Sequence, residues 1–435
     1  MSQRKTRRKF LKTSAAAGVG FWVAGGMTPR ESLSANEEIR FASIGVGGKG
    51  GSDSSDAGRA GKMVAICDID QSRLDAAGKK FAGAKKYNDY RDMLDKEHKN
   101  VDAVTVSTPD HNHFVASSRA IKLGLHCFTQ KPLSHTIWEA RELGRLAKEH
   151  KVATMMGNQG TANSGLRECA ALMKAGVLGS IKEVHVWTNR PVWPQGLGRP
   201  TETPDVPAHI NWDAWIGPAK YRPYHQAYHP FKWRGWWDFG TGALGDMACH
   251  TFNMPYAGCD LFNPTSVVAK TAGHNKETYP AWSIIDFVFP ANDWRPEITC
   301  AWYDGGKRPD AAKFEGKKGG DANSGALIIG DKGKLYSPGD YASRYELIGC
   351  DKKDVEYKRS PGHFREWVDA IKGGDPAMSN FVDYAGPLTE TILLGNLAVW
   401  ADGKKIEWDA KNLVATNAPE VASIVNKEYR DGWEG

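Results

Sequence analysis

The sequence predicts an α/β domain followed by an α+β domain, on three observations. Between residues 39 and 160, short apolar runs alternate with amphipathic stretches, the pattern of β-α-β units around a parallel sheet. From residue 161 to residue 435 the strand-like runs come without helices between them, which predicts an open, mainly antiparallel sheet. The length, 435 residues, is more than one ordinary domain needs. Residues 1–38 stand apart from both domains.

The first domain is organised around Ile39–Gly51, IRFASIGVGGKGG. An apolar strand ends at Ile44, and Gly45, Gly47 and Gly50 follow with the spacing G-x-G-x-x-G. After a strand, that spacing suits a dinucleotide phosphate loop. One glycine turns the chain, one admits the pyrophosphate, and one lets helix pack on strand. The next strand, within Met63–Ile69, carries Asp68, where an acid can accept two hydrogen bonds from an adenosine ribose. A 2′-phosphate would meet that carboxylate with Asp70 close behind and only Arg73 to offset it. NAD(H) is therefore expected over NADP(H), in a Rossmann domain. Further strands are expected at Val101–Val106, His126–Thr129 and Ala153–Met156, with helices at Gln71–Phe81, Tyr90–Glu97, Asn112–Leu123 and Ile137–Lys148.

The N-terminus reads TRRKFLK before an Ala/Gly-rich run from Ala15 to Gly26, which resembles a twin-arginine (Tat) export signal. The competing reading is a basic tail or signal anchor, although the run is short and glycine-rich for a span. No stable membrane anchor is expected. Residues 1–38 hold seven Lys/Arg and three acids, so their removal lowers the formal charge from +6 to +2 and leaves no case for a nucleic-acid partner. The seven cysteines form no C-x-x-C pair and read as buried thiols. The expected location is periplasmic or otherwise exported through the Tat route, with the Tat machinery as a partner.

In the second domain, a helix at Ser164–Ala175 leads to a strand at Ile181–Thr188 and then to an irregular Pro/Trp-rich region reaching about Phe239. Strands are expected at Ser266–Ala272, Ser283–Phe289, Glu297–Tyr303, Ala326–Ile329 and Tyr345–Ile348, and closing helices at His363–Ile371 and Gly386–Val399. The C-terminal stretch is expected to pack back on the first domain.

Ligands of such a parallel sheet bind beyond the carboxyl ends of its strands. Two loops lie there: STPDHNH at 107–113, with Thr108, Pro109 and His113 as cofactor contacts, and TQKPL at 129–133. Lys131, between strand and proline, can stabilise a substrate alkoxide beside a nicotinamide, or can be a surface lysine at a turn. Asp246 and His250 stand four apart, so on a helix the carboxylate can orient the imidazole as a general base. A helix cap and a packed histidine is the plain alternative. A metal would need further ligands from His111 or His113, and none is expected. Seven of the sixteen tryptophans fall between Trp187 and Trp237. Aromatic faces bind sugar rings, so Trp236 and Trp237 are expected to do so. Arg190, Arg234, Asp238, Asn158 and Gln159 are expected to hydrogen-bond hydroxyls.

Together, Gly45-x-Gly47-x-x-Gly50, the STPDHNH loop, Lys131-Pro132 and Asp246-x-x-x-His250 resemble the Gfo/Idh/MocA oxidoreductases over residues 39–435. GNQG at 157–160, the run WRGWWDFGTGALGDMACH and the Tat-like leader resemble an exported subgroup. The resemblance implies that Lys131 lies in a Glu-Lys-Pro step, that His250 is the acid/base with Asp246 as partner, and that the chain is a homo-oligomer through its open sheet. Gln130 stands where the family has Glu, and Asn253 where many members have Asp. The implied function is hydride transfer between NAD(H) and a secondary hydroxyl or ketone of a sugar, cyclitol or glycoside. The alternatives are a glycosidase working by transient oxidation and a non-catalytic nucleotide-binding protein. An exported enzyme would have to carry its cofactor tightly, with residues 32–38 as a covering arm.

Overall fold

The structure, a computed structural model, describes residues 37–316 and 322–434. The Tat-like leader and most of the expected covering arm lie outside the described residues.

Six parallel strands form the first sheet: β1 (Ile39–Ile44), β2 (Gly61–Cys67), β3 (Lys85–Tyr87), β4 (Ala103–Val106), β5 (His126–Thr129) and β6 (Thr154–Met156), in the order β3-β2-β1-β4-β5-β6. Every residue of β4 is buried, as a strand covered on both faces requires. The expected strands are all present. β3 is additional, an exposed Lys-Lys-Tyr edge with no apolar run to announce it. Helices fill the crossovers at Lys49–Ala60, Gln71–Lys80, Tyr90–Glu97, His113–Lys122 and Ile137–His150. Asp70 caps the second of these by accepting from the Ser72 amide at 2.9 Å. Thr136 and Glu139 close a reciprocal capping box on the last.

The second sheet has nine strands, β7 (Ile181–Trp187), β8 (Ser266–Thr271), β9 (Ser283–Phe289), β10 (Ile298–Tyr303), β11 (Gly325–Gly330), β12 (Lys334–Pro338), β13 (Glu346–Ile348), β14 (Ile406–Asp409) and β15 (Val414–Ala415). Their order is β13-β12-β11-β7-β10-β9-β8-β14-β15. All neighbours are antiparallel except β7 and β10, which run parallel. Residues alternate along β9, with Ser283, Ile285, Phe287 and Phe289 buried. The helix Gly386–Trp400 lies against that inner face at Gly395, where a Cβ would meet Phe287 at 2.8 Å.

Two C-terminal pieces return to the first domain. Trp367, fully buried on the helix His363–Ile371, packs against Phe41 and Phe128, and its indole donates to the Ala153 carbonyl at 3.0 Å. Farther on, Tyr429 stacks on Phe114 and Trp433 meets Tyr90. The first domain's core is thus completed by residues beyond 360. Among the described residues no helix is long and apolar enough to cross a membrane. All seven cysteines are free and six are buried.

Candidate active site

The cleft beyond β1, β2, β4 and β5 is shaped by backbone that only glycine allows. Gly45 has φ 78°, and a Cβ there would lie 2.5 Å from the Ser107 carbonyl oxygen. At Gly50 a Cβ would lie 2.1 Å from the Gly45 carbonyl oxygen, so the helix Lys49–Ala60 starts hard against the loop. Gly47 faces only the flexible Arg73 side chain. Buried Asp68 accepts from the Val46 and Gly47 amides at 2.9 and 3.2 Å and from the Asp70 amide at 3.0 Å. Burial pushes its carboxyl up, and the Asp70 and Val46 amides hold it down. Gly45, Gly47, Asp68, Thr108, Pro109 and Lys131 line one continuous cleft. Three of its lining residues, Thr108, Asn112 and His229, bury Oγ1, Oδ1 and Nε2 without a partner. A glycine cradle, a cleft-lining acid just past β2 and unpaired polar atoms together fit a dinucleotide.

The outer wall of this cleft is a strap that sequence patterning left as irregular. His209–Asn211 clips onto the end of β2, with the Gln71 amide donating to the His209 carbonyl at 2.8 Å and the Asn211 amide to the Ile69 carbonyl at 2.8 Å. Trp215, His229, Pro230 and Phe231 then complete the cleft lining.

The reacting end centres on Lys131. Its Nζ donates to Asp246 Oδ1 at 2.8 Å and to the Asp246 carbonyl at 2.7 Å, and Arg234 Nε donates to the same Oδ1 at 3.1 Å. Burial raises the Asp246 carboxyl, but the Lys131 and Arg234 charges outweigh it and bring it to about 2. Asp246 and His250 do share the helix Gly242–Thr251. The Asp246 carboxylate, expected to orient the imidazole, is instead engaged by the Lys131 and Arg234 cations, which bind it more strongly than a neutral imidazole would. Burial and the Lys131 charge lower His250 to about 3, so its ring is neutral. Its Nδ1 is buried with no partner.

Over His250 lies Tyr341, edge-on at 5.0 Å between ring centroids and 37% exposed. Burial raises its phenol, and Asp340, Lys131, Arg190 and Asp246 all act on it electrostatically. Its neighbour Ala342 takes the left-handed conformation at φ 48°, and Gly165 lets that turn approach, since a Cβ would lie 2.4 Å from the Ala342 carbonyl oxygen. No spacing or motif marks Tyr341 in the sequence. Asp110, in the STPDHNH loop, is also buried in the cleft wall and accepts from Thr241 Oγ1 at 2.6 Å.

Other expected contacts fall elsewhere. Trp236 and Trp237 are buried rather than offered to a sugar. Trp236 donates to the Ala227 carbonyl, and Trp237 stacks on Tyr279 at 3.8 Å. Their flanking glycines make room for packing, not for ligand: a Cβ at Gly235 would lie 2.5 Å from the Pro194 carbonyl oxygen. Asp238 is paired with Arg222 at 2.6 Å. His113 braces two loops, its ring nitrogens 2.7 Å from the Pro132 carbonyl and 2.8 Å from the Thr108 carbonyl, which commits both to protein. Asn158 is buried, takes a hydrogen bond from Ser379 through Oδ1 and leaves Nδ2 unpaired. Gln159 is exposed, and Arg190 bonds the adjacent Asn189. Asn253 accepts from Tyr384 through Oδ1 and leaves Nδ2 unpaired.

Comparison with known proteins places this geometry. Residues 39–158 match the family model for the NAD-binding Rossmann fold of an oxidoreductase family, and residues 169–435 match that family's C-terminal alpha/beta domain. An inositol 2-dehydrogenase of Salmonella typhimurium is 29% identical over 126 residues, 28% of this chain and 37% of the relative. A glycosyl hydrolase family 109 protein 2 of Shewanella sp. (strain ANA-3) is 29% identical over 164 residues, 32% of this chain and 36% of the relative. These alignments span less than half of either relative. In fold, the chain is similar to the WlbA dehydrogenase of Bordetella pertussis, crystallised with NADH and UDP-GlcNAcA, with a TM-score of 0.60 at 18% identity over 86% of this chain and 99% of that one. With both domain models matched along nearly all of the described sequence, the chain belongs to the Gfo/Idh/MocA family of oxidoreductases.

Proposed function

We propose that the protein is an NAD-dependent oxidoreductase that moves hydride between nicotinamide and a secondary hydroxyl or ketone of a sugar, cyclitol or glycoside. The observation that carries this is the Lys131–Asp246–Arg234 cluster lining the same cleft as the glycine loop, with a neutral His250 on the next turn of the helix that bears Asp246. Bound nicotinamide supplies the hydride acceptor or donor. His250 takes the hydroxyl proton, and the Lys131 ammonium stabilises the alkoxide. Asp246 and Arg234 hold Lys131 in place. Tyr341 offers the exposed aromatic face against which a sugar ring stacks.

The family 109 relative supports a second reading, in which oxidation is transient and the net reaction is hydrolysis. Release of reducing sugar with no net NADH distinguishes it.

Export through the twin-arginine route, with periplasmic residence, belongs to the same proposal and rests on the TRRKFLK leader. An exported enzyme has no dependable soluble NAD pool, so the cofactor is loaded first and kept through many turnovers. Retention over hours needs roughly −10 kcal/mol or stronger. The strap around 209–233 is the element that covers the cleft. A second copy of the chain would cover the outer face of the nine-stranded sheet. The test is to gel-filter the mature protein, release bound ligands with acid, and offer the protein myo-inositol, aldoses and their methyl glycosides. Retained NAD(H) that is reduced in place is the expected result. Empty protein working only with freely exchanging NAD would contradict retention.

A further inference from the structure

Gln130 precedes Lys131 and is 5% exposed. Its Nε2 donates to Asp53 Oδ2 at 2.8 Å, and its Oε1 accepts the backbone N–H of Lys131 at 3.3 Å. The absence of a side chain at Gly157 makes the space, since a Cβ there would lie 2.5 Å from that Nε2. Asp53 is 2% exposed on the helix that follows the glycine loop. It also accepts from Ser107 Oγ at 2.8 Å and from Lys49 Nζ at 2.5 Å. Ser107 is the residue against which both Gly45 and Gly50 pack. One buried carboxylate therefore joins the glycine-loop helix, the loop after β4 and the loop after β5 that carries Lys131.

An ionised carboxylate only accepts hydrogen bonds, so residue 130 must present a donor to it and an acceptor to the Lys131 amide. An amide does both. A glutamate at 130 would set two carboxylates within hydrogen-bond reach of each other in the wall of the cleft, and one would have to turn away or take a proton. Asn at 53 alone would turn an amide donor toward Lys49, Ser107 or Gln130, all of which are donors here.

We propose that Asp53 is a positioning residue: through Gln130 it fixes the Lys131 backbone, and so couples the dinucleotide loop to the presentation of the Lys131 side chain. The coupling requires one carboxylate and one amide across this contact and tolerates their exchange. It rests on the reading that Lys131 works in the cofactor cleft.

The test is a double-mutant cycle of Asp53→Asn, Gln130→Glu and the double variant in the full chain, read by NADH fluorescence titration, by thermal melting and by turnover of the fastest sugar from the panel above. Each single variant is expected to weaken NADH binding about tenfold and to lower kcat more than it changes KM. The double variant, with wild-type net charge, is expected to return within about threefold of wild type in both. Additive losses, or single variants that bind and turn over like wild type, would overturn the proposal. If Gln130→Glu does not fold, a folded, NADH-binding double variant supports the exchange, and an unfolded one overturns it. If no sugar turns over, the proposed function fails while the NADH cycle still decides the coupling.

Discussion

Asp110 lies 3% exposed under the Lys131–Asp246 pair, with Thr241 its hydrogen-bond donor. Burial holds its carboxyl at about 7, against the lowering effects of Thr241, Lys131 and Arg234. In the unfolded chain the same group loses its proton near pH 4, so between there and pH 7 the folded state binds more protons. Its contribution to stability is full below about pH 4 and is lost as pH rises through 7, on the order of 2–4 kcal/mol. The buried histidines His250 and His363, lowered to about 3 chiefly by burial, act with the opposite slope. The comparison must therefore be with Asp110→Asn. Wild type is expected to lose stability relative to that variant between about pH 4 and 7 in paired denaturant titrations, and parallel pH curves would contradict the assignment. The sequence displayed Asp110 inside the STPDHNH loop, but its neutral state was not legible there, because it depends on burial by Thr241 and Tyr279 from the second domain.

Among the elements, the helix His363–Ile371 tests how the two domains are joined. Trp367→Ala removes a fully buried indole from between Phe41, Phe128 and Phe364, and frees the Ala153 carbonyl. The expected loss is about 3–5 kcal/mol in equilibrium unfolding, with NADH binding weakened because Phe41 lies in β1. A loss below about 1 kcal/mol would show that this helix is peripheral. Elements with their own period were readable: β1, β2, β4, β5, β6, β9 and β10 all carry apolar runs or alternation. Those defined by partners were not. β14 and β15 are four and two residues long and exist as strands through pairing with β8 and with each other. The strap at 209–211 carries no pattern, since its backbone is paired by the loop after β2.

On the scale of the whole molecule, the cleft draws its cofactor side from residues 44–131 and its reacting side from 214–246, with His250 one turn farther along the helix that carries Asp246. Gly45, Gly47, Asp68, Lys131 and Asp246, each marked by a local pattern, line that one cleft, and His250 lies one turn beyond Asp246. What the sequence could not supply is the pairing between halves. Four-residue spacing suggested Asp246 to His250, whereas Lys131 and Arg234 arrive from 115 and 12 positions away to take the carboxylate. Tryptophan content suggested a sugar platform, whereas Trp236 and Trp237 fill the core and the partly exposed ring beside His250 is Tyr341. The most direct measurement is a single-turnover experiment on NAD-loaded, gel-filtered protein mixed with the sugar panel, following reduced-nicotinamide absorbance in wild type and His250→Ala. Wild type is expected to reduce its nicotinamide with at least one sugar and to reoxidise it with the matching ketone. His250→Ala is expected to bind NADH normally yet react roughly a hundredfold more slowly. Equal rates in the two proteins, or a nicotinamide that no sugar reduces, would contradict the account.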